Sequence, residues 1–377
     1  MSTIDLHNHP HFQAWKDPVS GVTSHVLRPV AAPLQRALYF VVPSIRGNGQ
    51  WLWFHGFHPP VDCPQLACVS LDPQAPDIHT FPNAMSNGNP LIDPAGDSIH
   101  VPIGDGIYHL HLDGHTTNTF RMPREVLDSK HLFLLCTELT ESCDGRYYLL
   151  DSEIGNRWLI SLVEKETGKH LPLRWFGNRH HHAIFSKHDP ELFLINQGHW
   201  TDRITGDKNA MNVRTWLMNT RLDRYEPLDP NLWFGQNSHC CHEWWTPSGK
   251  VQWCDYQEGI WEMDLETREK QLLWNHPLVH GQSDAAERYL VGDQNPYNWN
   301  DQKPCSVWFF DRASQREIPI VSHMPPHPLP WRDFRTYHID PHPNFSDDGQ
   351  WVIYTTTAFG SVTLALCSVA DLLKQLG

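Results

Sequence analysis

The stretch NFSDDGQWVIY, residues 344–354, joins a polar turn to an apolar run that is rich in strand-forming residues. Six other stretches have the same form: SIRGNGQWLWF (44–54), LIDPAGDSIHV (91–101), TESCDGRYYLL (140–150), FSKHDPELFLI (185–195), WTPSGKVQWC (245–254) and QSDAAERYLVG (282–292). Internal similarity at a regular spacing is the signature of a repeat architecture. The seven copies therefore guide the interpretation of the whole chain.

A second strand-like element follows each of these stretches and ends in a tight turn: LACVSLDP (66–73), IYHLHLDG (107–114), RWLISLVEKETG (157–168), RTWLMNTRL (214–222), GIWEMDLETRE (259–269), SVWFFDRAS (306–314) and VTLALCSVA (362–370). The two sets alternate strictly, and the turns recur every 40–60 residues or so, roughly the period of a four-stranded propeller blade. We therefore predict an all-β, seven-bladed β-propeller. A two-sheet sandwich would explain the strands but not the sevenfold count.

The propeller is expected to form a single domain over residues 1–377. The N-terminal segment, around SGVTSHVLRP (20–29), is predicted to supply the outer strand that closes the last blade. The two longest intervals between turns indicate insertions around 196–212 and 294–335. Helical periodicity is nearly confined to ADLLKQLG at the C-terminus, which disfavours a fold of alternating strands and helices.

The composition argues against several classes of partner and location. The formal net charge is −14 and no basic patch stands out, so nucleic acid is not an expected partner. Nine cysteines without a CxxC motif indicate a reduced, cytoplasmic protein. The chain has no apolar run of about 18 residues, so no membrane-spanning helix is predicted. The oligomeric state is left open by the sequence.

Histidines recur at one position of the repeat. Counting back from each turn reaches the strand expected to line the central channel, and this position carries Glu138, His182, His242 and His342 in blades three, four, five and seven. His280 lies at nearly the same place in blade six. Packing alone has no use for several imidazoles around one channel, because each needs a hydrogen-bond partner. The pattern indicates a functional site.

The last blade adds further polar groups. His338, Asp340 and His342 alternate along the chain, and in a strand alternate residues face the same side. A cluster of imidazole and carboxylate ligands suits Mn²⁺, Zn²⁺ or another divalent ion of this type. We therefore predict that the channel holds a divalent metal.

With these residues in view, the chain resembles the oligogalacturonate lyases, which are seven-bladed propeller polysaccharide lyases that bind Mn²⁺ in the channel. The matching motifs are HAIFSKHDPELFLINQG (182–198), NVRTWLMN (212–219), HCCHEWWTPSGKVQW (239–253), VHGQSDAAERYLVGD (279–293) and HPNFSDDGQWVIYTT (342–356). They cover blades four to seven and occur in the family's order. YFVVPSIRGNGQWLWF (39–54) is also similar, more weakly.

The resemblance implies roles for individual residues. His242 matches the family's proposed base, Arg214 matches its catalytic arginine, and His280 and His342 match metal ligands. The family's metal run reads Gln-x-x-His-x-His, whereas this chain has Tyr337-x-x-Asp340-x-His342. The expected ion is Mn²⁺.

Further residues complete the predicted site. His182 shares the repeat position of the proposed base and is a second candidate for proton transfer. Asp340 and His338 are additional candidate metal ligands. Arg214, Arg335 and His58 are expected to bind the substrate, a uronate-containing oligosaccharide.

The chemistry implied is β-elimination at a uronate, which removes the C5 proton with a base such as histidine while Arg or a metal neutralises the carboxylate. Two other functions are compatible with the fold. A propeller glycoside hydrolase would need a pair of carboxyl groups, for which Glu138, Glu243 and Asp340 are candidates. A non-enzymatic scaffold of the WD-repeat type would present partner-binding rims, and the ring of histidines argues against it.

Overall fold

A computed structural model describes residues 4–47, 49–86, 88–211, 213–231, 240–294, 299, 304–326 and 336–377. The described strands form seven sheets of four or five strands, and these sheets are the blades of a ring. The predicted all-β, seven-bladed β-propeller is confirmed. Within the blades, paired strands are antiparallel, and in five of the seven blades their order in the sheet follows their order along the chain.

The N-terminal half of the chain forms three blades. Two strands precede the first blade: β1 (Phe12–Lys16) and β2 (Thr23–Leu27). Blade one contains β3 (Leu34–Ala37), β4 (Trp51–Phe57), β5 (Gln65–Ser70) and β6 (Ile78–Met85). Blade two contains β7 (Leu91–Ile92), β8 (Ser98–Ile103), β9 (Gly106–His111) and β10 (Thr116–Arg121). After the short helix α1 (Arg124–Leu127), blade three contains β11 (Leu132–Leu134), β12 (Thr140–Glu141), β13 (Tyr147–Ile154), β14 (Arg157–Glu164) and β15 (His170–Phe176).

Blades four to six follow the same plan. Blade four contains β16 (His180–Phe185) and β17 (Leu192–Gln197), then β20 (Thr215–Asn219) and β21 (Tyr225–Pro227), with the hairpin of β18 (Trp200–Thr201) and β19 (Lys208–Asn209) inserted between them. Blade five contains β22 (Cys240–Trp245), β23 (Val251–Asp255), β24 (Gly259–Met263) and β25 (Lys270–Trp274). Blade six contains β26 (His280–Ser283), β27 (Tyr289–Gln294), β28 (Ser306–Asp311) and β29 (Arg316–Val321). The inserted hairpin lies in the first of the two predicted insertions.

Blade seven joins the two ends of the chain. It contains β30 (Asn344–Phe345), β31 (Trp351–Thr356) and β32 (Thr363–Ser368), and the N-terminal strand β2 pairs with β32. The register places His25 opposite Leu366 and Val26 opposite Ala365. Strand β1 adds a fifth strand outside β2. The helix α2 (Val369–Leu376) then ends the chain.

In six of the seven blades, the polar turn of the repeat contains a residue with a left-handed backbone conformation. Gly349 has a φ of 68° and Gly249 a φ of 87°, a conformation that glycine adopts without steric cost. Glu287 takes the corresponding place in blade six with a φ of 56°. The glycines that mark the repeat in the sequence therefore mark the connection between the first and second strands of the blades.

The apolar faces of the blades pack against each other. Among the described residues, buried apolar side chains form seven clusters, and each cluster joins neighbouring blades. The junction of blades seven and one, for example, packs Ile353 and Leu366 against Leu52 and Phe54. Because every blade buries both faces in this way, the ring holds its inner strands at similar positions around one axis. None of the described helices is long and apolar enough to cross a bilayer.

One segment that was expected to be a strand is irregular. Residues 338–343 are not in a strand, and the innermost strand of blade seven is limited to β30. Pro341 and Pro343 have no N–H group for a strand ladder. His338 and His342 have left-handed φ angles of 47° and 43°. Strand alternation is therefore the wrong explanation for how the side chains of this segment come together.

The structure predicts a loss of stability in acid. Burial is the main reason that the pKa values of His170 and His180 are lowered from 6.5 to about 4. The unfolded chain binds protons at these groups below about pH 6.5 and the folded chain does not, so stability falls as the pH falls through this range. We expect the apparent Tm to decrease steadily between pH 6.5 and 4 in calorimetry.

The variant His170→Leu tests this cause. The Nε2 atom of His170 is buried and has no hydrogen-bond partner among the described residues, so leucine should cost little at pH 8. At pH 4.5 the variant should melt a few degrees above the native chain, because one unfavourable protonation has been removed. An equal loss of Tm in both proteins would mean that other groups cause the acid sensitivity.

Candidate active site

The four histidines that the repeat singled out line one cavity within the ring. His182, His242, His280 and His342 line a cavity of about 410 Å³, together with Arg214. They come from blades four, five, six and seven respectively. The repeat position that was identified in the sequence therefore places these side chains around one cavity.

A bulge in the innermost strand directs the histidine of blade four. β16 pairs with β17 at His181 and again at Ile184, so His182 and Ala183 lie opposite the single residue Ile195. A bulge of this kind bends the strand and redirects a side chain, and bulges are common next to active sites. The sequence repeat alone does not indicate it.

The same local geometry recurs in two other blades. In blade five, the register shift leaves His242 and Glu243 opposite Trp253. The φ angles of His182, His242 and His342 are 50°, 57° and 43°. Left-handed backbone is uncommon for residues other than glycine, and strained positions of this kind cluster at functional sites. The three histidines thus share a backbone conformation as well as a place in the repeat.

Three buried side chains could hold a metal ion, and two of them, His280 and His342, line the cavity. One ligand atom of each of His280, Asp340 and His342 lies within 4.8 Å of the other two, and all three residues are buried. Asp340 Oδ1 and His342 Nε2 are buried atoms without a hydrogen-bond partner among the described residues. Leaving such atoms unpaired is costly unless something else binds them. The donor set and its unpaired atoms fit a divalent ion.

A second carboxylate orients one of these ligands. Asp293 lies opposite His280 in the sheet, and its Oδ2 atom is 2.9 Å from His280 Nδ1. The Asp293 carboxylate accepts a hydrogen bond from an Nδ1–H group of His280 and so selects the tautomer that has its lone pair on Nε2. The Nε2 atom then remains as the ligand atom, which is the arrangement of carboxylate-supported histidine ligands.

His338 lies at the edge of this cluster. Its Nε2 atom is 3.2 Å from Asp340 Oδ2, but 62% of its side chain is exposed and it is not one of the three clustered residues. Asp340 also lies 3.9 Å from His342 Nε2. The predicted metal ligands His280, Asp340 and His342 are therefore brought together, whereas His338 lies on the solvent side.

Arg214 is fixed by a buried carboxylate. Its Nε atom donates to Glu243 Oε1 at 3.0 Å, and Glu243 also accepts from Asn196 Nδ2 at 2.8 Å and from the Thr215 hydroxyl. Burial works against the charge, but Glu243 raises the pKa of Arg214, so the guanidinium remains cationic. Because that bond uses Nε, the terminal nitrogens can bind a substrate carboxylate in the cavity that Arg214 lines.

His242 is held in a tautomer that suits a base. Its Nδ1 atom lies 2.6 Å from the carbonyl oxygen of Val279, to which an Nδ1–H group donates. The Nε2 atom then carries the lone pair. Burial, with further contributions from His280 and Arg214, lowers the pKa of His242 well below 6.5. The ring is neutral at ordinary pH, and its centroid is 4.1 Å from that of His280 in the metal-ligand cluster.

His182 has a different partner. Its Nδ1 atom is 2.5 Å from Oε1 of Glu138, a carboxylate that is fully buried. Nearby, burial and Glu138 raise the pKa of Asp151 to about 7. His182 stacks on Tyr39 with ring centroids 5.9 Å apart. It is thus a second imidazole with a supported Nδ1 atom, but it lies on the Glu138 side of the cavity.

The predicted substrate-binding residues have different positions. Arg214 lines the cavity, whereas His58 is exposed just after β4 and is not among the lining residues. Arg335 lies outside the described residues. Arg36, which the sequence reasoning missed, lines the cavity and donates from Nη1 to the carbonyl oxygen of His338 at 2.7 Å. Arg36 lies in β3, and the sequence of that strand, LQRA, contains no motif that would single it out.

Comparisons with known proteins agree with this picture in part. No protein-family model matches the chain. The oligogalacturonide lyase of Pectobacterium atrosepticum is 23% identical over 183 residues, which are 44% of this chain and 45% of that protein. The oligogalacturonate lyase of Dickeya dadantii is 23% identical over 185 residues, 45% and 46% of the two chains. The match thus spans a little under half the length of these curated relatives.

Solved structures extend the likeness to nearly the whole chain. An oligogalacturonate lyase in complex with manganese superposes with a TM-score of 0.74 and 17% identity, over 96% of this chain and 97% of that one. The resemblance to the oligogalacturonate lyases is confirmed. The oligogalacturonate lyase of Vibrio parahaemolyticus gives a TM-score of 0.75 and 16% identity over 95% and 96%. At these identities, the superpositions with oligogalacturonate lyases establish the shared fold.

Proposed function

We propose that this protein is a lyase that cleaves galacturonate-containing oligosaccharides by β-elimination. The observation that carries the proposal is the meeting of three groups in one cavity. A neutral imidazole, His242, lies beside a cluster suited to a divalent cation, and the same cavity is lined by the cationic Arg214. A base next to two sources of positive charge is what proton removal beside a carboxylate requires.

The ionised carboxylate of the sugar makes the C5 proton difficult to remove. The C5 proton of a uronate is weakly acidic while the neighbouring carboxylate is ionised, because negative charge builds up on the same group in the transition state. In our proposal the Arg214 fork binds that carboxylate and stabilises the added charge. A Mn²⁺ ion held by His280, Asp340 and His342 would supply Lewis-acid stabilisation of the same charge.

The proton transfer follows from the position of His242. Its Nε2 lone pair takes the C5 proton, and the electrons of the C5–H bond form a C4=C5 double bond as the C4–O bond breaks. The departing oxygen takes a proton from water or from a phenol of the cavity such as Tyr39, whose pKa burial raises well above its usual value. His242 is favoured over His182 because the carboxylate, which is attached to C5, must lie near the cationic groups that His242 adjoins.

The arrangement of carboxylates disfavours hydrolysis. A glycosidase needs two carboxyl groups facing the scissile bond. Of the three candidates, Glu243 binds Arg214, Glu138 contacts His182, and Asp340 belongs to the metal-ligand cluster. Each is already engaged with a basic partner or a ligand cluster.

An absorbance screen tests the proposal. The chain would be incubated with oligosaccharides of galacturonate, glucuronate and mannuronate in the presence of Mn²⁺, and the ultraviolet band of a carboxylate-conjugated C=C bond would be followed. We expect the fastest increase with galacturonate oligomers. Neutral galactose oligomers are the matched control, since they lack the carboxylate. Absence of the band with every uronate would reject a lyase function.

Removal of divalent metal should affect both stability and turnover. Dialysis against a chelator is expected to lower the apparent Tm, because an ion bound to the native state stabilises it by mass action. Turnover should fall at least about tenfold and return when Mn²⁺ is added, since the lost charge stabilisation lies in the transition state. The His342→Gln variant is the control: its low turnover should not respond to chelation or to Mn²⁺. Full activity in the metal-free native chain would show that Arg214 alone handles the carboxylate.

A further inference from the structure

Blade two departs from the other blades at one buried cross-strand pair. His100 on β8 lies opposite His109 on β9. The equivalent pairs in the other six blades are apolar or contain cysteine: Trp53–Cys68, Leu149–Leu162, Leu194–Leu217, Trp253–Trp261, Val291–Phe309 and Ile353–Leu366. Packing against the next blade thus calls for apolar side chains here. Two stacked imidazoles at this place, with centroids 4.1 Å apart, need another explanation.

A carboxylate of the same blade faces both rings. Asp93 begins the polar turn, three residues before Gly96, and the corresponding residue of blade six is Asp284. Asp284 Oδ1 accepts from the backbone N–H groups of Arg288 and Tyr289 and so ties its own turn. The carboxylate of Asp93 is instead directed to the two imidazoles of the blade.

The distances define a compact set of ligand atoms. Asp93 Oδ1 lies 3.2 Å from His100 Nε2, and Asp93 Oδ2 lies 2.6 Å from His109 Nε2. One ligand atom of each residue lies within 4.8 Å of the other two. Both imidazoles thus direct Nε2 toward the same carboxylate, so the three sets of ligand atoms converge on one point of the blade.

Surrounding groups orient these ligands. The Tyr148 hydroxyl of the neighbouring blade lies 3.1 Å from His100 Nδ1, and the Ser98 hydroxyl donates to Asp93 Oδ2 at 2.5 Å. These contacts fix the orientation of the His100 ring and of the Asp93 carboxylate within the blade.

We propose that Asp93, His100 and His109 form a second metal site, which binds a divalent transition ion such as Zn²⁺. Two imidazoles and a carboxylate are a common donor set for this class of ion. His111, whose ring centroid is 4.0 Å from that of His109, or a water molecule can complete the coordination. None of the three ligands lines the central cavity, so the site is separate from the proposed active site. It would join β8, β9 and the turn before β8 across the middle of the blade.

The repeat itself supplies a matched variant. Blade three carries Ser142, Leu149 and Leu162 at the three corresponding positions. The triple variant Asp93→Ser, His100→Leu, His109→Leu places these residues in blade two, so it should fold and keep the central cavity. Replacement of buried polar groups by apolar residues of similar size is often neutral for stability.

Zinc binding by equilibrium dialysis and elemental analysis tests the site. The assay would compare the native chain, the His342→Gln variant, the triple variant and their combination. We expect the triple substitution to remove about one equivalent of bound Zn²⁺ in either background, and the combination to bind almost none. Zn²⁺ should also raise the apparent Tm of the His342→Gln protein but not that of the combination. Equal Zn²⁺ binding with and without the triple substitution would overturn the proposal.

A second measurement does not use the triple variant, so it remains informative if that variant fails to fold. X-ray absorption of the Zn²⁺-loaded His342→Gln protein should show about two imidazole ligands and oxygen donors at roughly 2.0–2.2 Å. No Zn²⁺ binding by that protein, or a spectrum without imidazole, would also overturn it. The outcome does not depend on the proposed lyase function, because binding is measured without substrate.

Discussion

Replacement of His242 by alanine is expected to lower kcat by about 10²–10⁴-fold, the usual contribution of a general base. KM should change little, because the proton is removed only on the way to the transition state. Initial rates with a galacturonate oligosaccharide, followed by the absorbance of the unsaturated product, give both constants. Loss of His242 leaves the metal-ligand cluster and Arg214 in place, so the effect should be confined to the chemical step.

Two other histidine variants sharpen the result. His188→Ala changes an exposed imidazole on the turn after β16, and it should have the activity of the native chain. His182→Ala should reduce turnover less than His242→Ala. If His182→Ala abolishes activity while His242→Ala retains it, the imidazole supported by Glu138 is the base and the assignment to His242 is wrong.

The dependence of kcat/KM on pH tests the role of His242 independently. Because burial and His280 lower the pKa of His242 well below 6.5, the imidazole stays deprotonated to a more acidic pH than a free histidine. The acid limb of kcat/KM should therefore lie below pH 6.5, with no loss between pH 7 and 8. In the His242→Ala variant this limb should disappear from the residual activity. A limb centred at or above pH 6.5 would point to a different group.

The second large effect is expected for Arg214→Lys. The substitution keeps a positive charge beside Glu243, yet kcat/KM should fall by about 10²–10³-fold, as for loss of a transition-state hydrogen-bond donor. An ammonium group cannot bind Glu243 through one nitrogen and offer a planar pair of donors to the substrate as well. We expect both KM and kcat to worsen, because the carboxylate is bound in the ground state and more tightly as charge develops.

Arg224→Lys is the matched control for this substitution. Arg224 lies in the same blade and also binds a glutamate, with Nε and Nη2 at 3.0 Å and 2.8 Å from Glu226 Oε1. It is not among the residues that line the cavity, so its replacement should leave kcat/KM unchanged. Equal effects of the two substitutions would mean that loss of the Arg–Glu pair in the fold, and not substrate binding, explains the Arg214 result.

The fold could be predicted because the sequence repeats one pattern, a polar turn followed by an apolar strand, seven times. Six of the seven copies have a turn with a left-handed residue, such as Gly349, before a strand that is buried on both faces. Such signals are local, so they can be read without knowing what the strand packs against. The shared repeat position of His182, His242 and His342 could be found by the same counting.

The details of the site depend on contacts that are distant in the sequence. Glu243 follows His242 directly, but its role in holding Arg214 appears only when blades four and five are side by side. The bulges that direct the histidines add one unpaired residue to a strand, which hydrophobic periodicity does not report. Asp293 likewise faces His280 only through the pairing of β26 with β27.

The segment before β30 shows where a sequence rule failed. Alternation predicted that His338 and Asp340 would face the same side with His342, and the prolines of the segment prevent a strand there. Asp340 and His342 are both buried and come together with His280, whereas 62% of the His338 side chain is exposed. The sequence of this segment identified the candidate ligands His338, Asp340 and His342. The local backbone conformation determines which of them come together.

The products formed from a galacturonate trisaccharide test the central claim most directly. Mass spectrometry and proton NMR of the reaction in water labelled with heavy oxygen would distinguish elimination from hydrolysis. A lyase yields one fragment with a C4=C5 double bond, lighter by one water than the hydrolysis product, and no label from solvent enters the cleaved linkage. We expect that fragment and its vinyl proton signal. Two saturated fragments, one carrying labelled oxygen, would show that the cavity catalyses hydrolysis and would contradict the account.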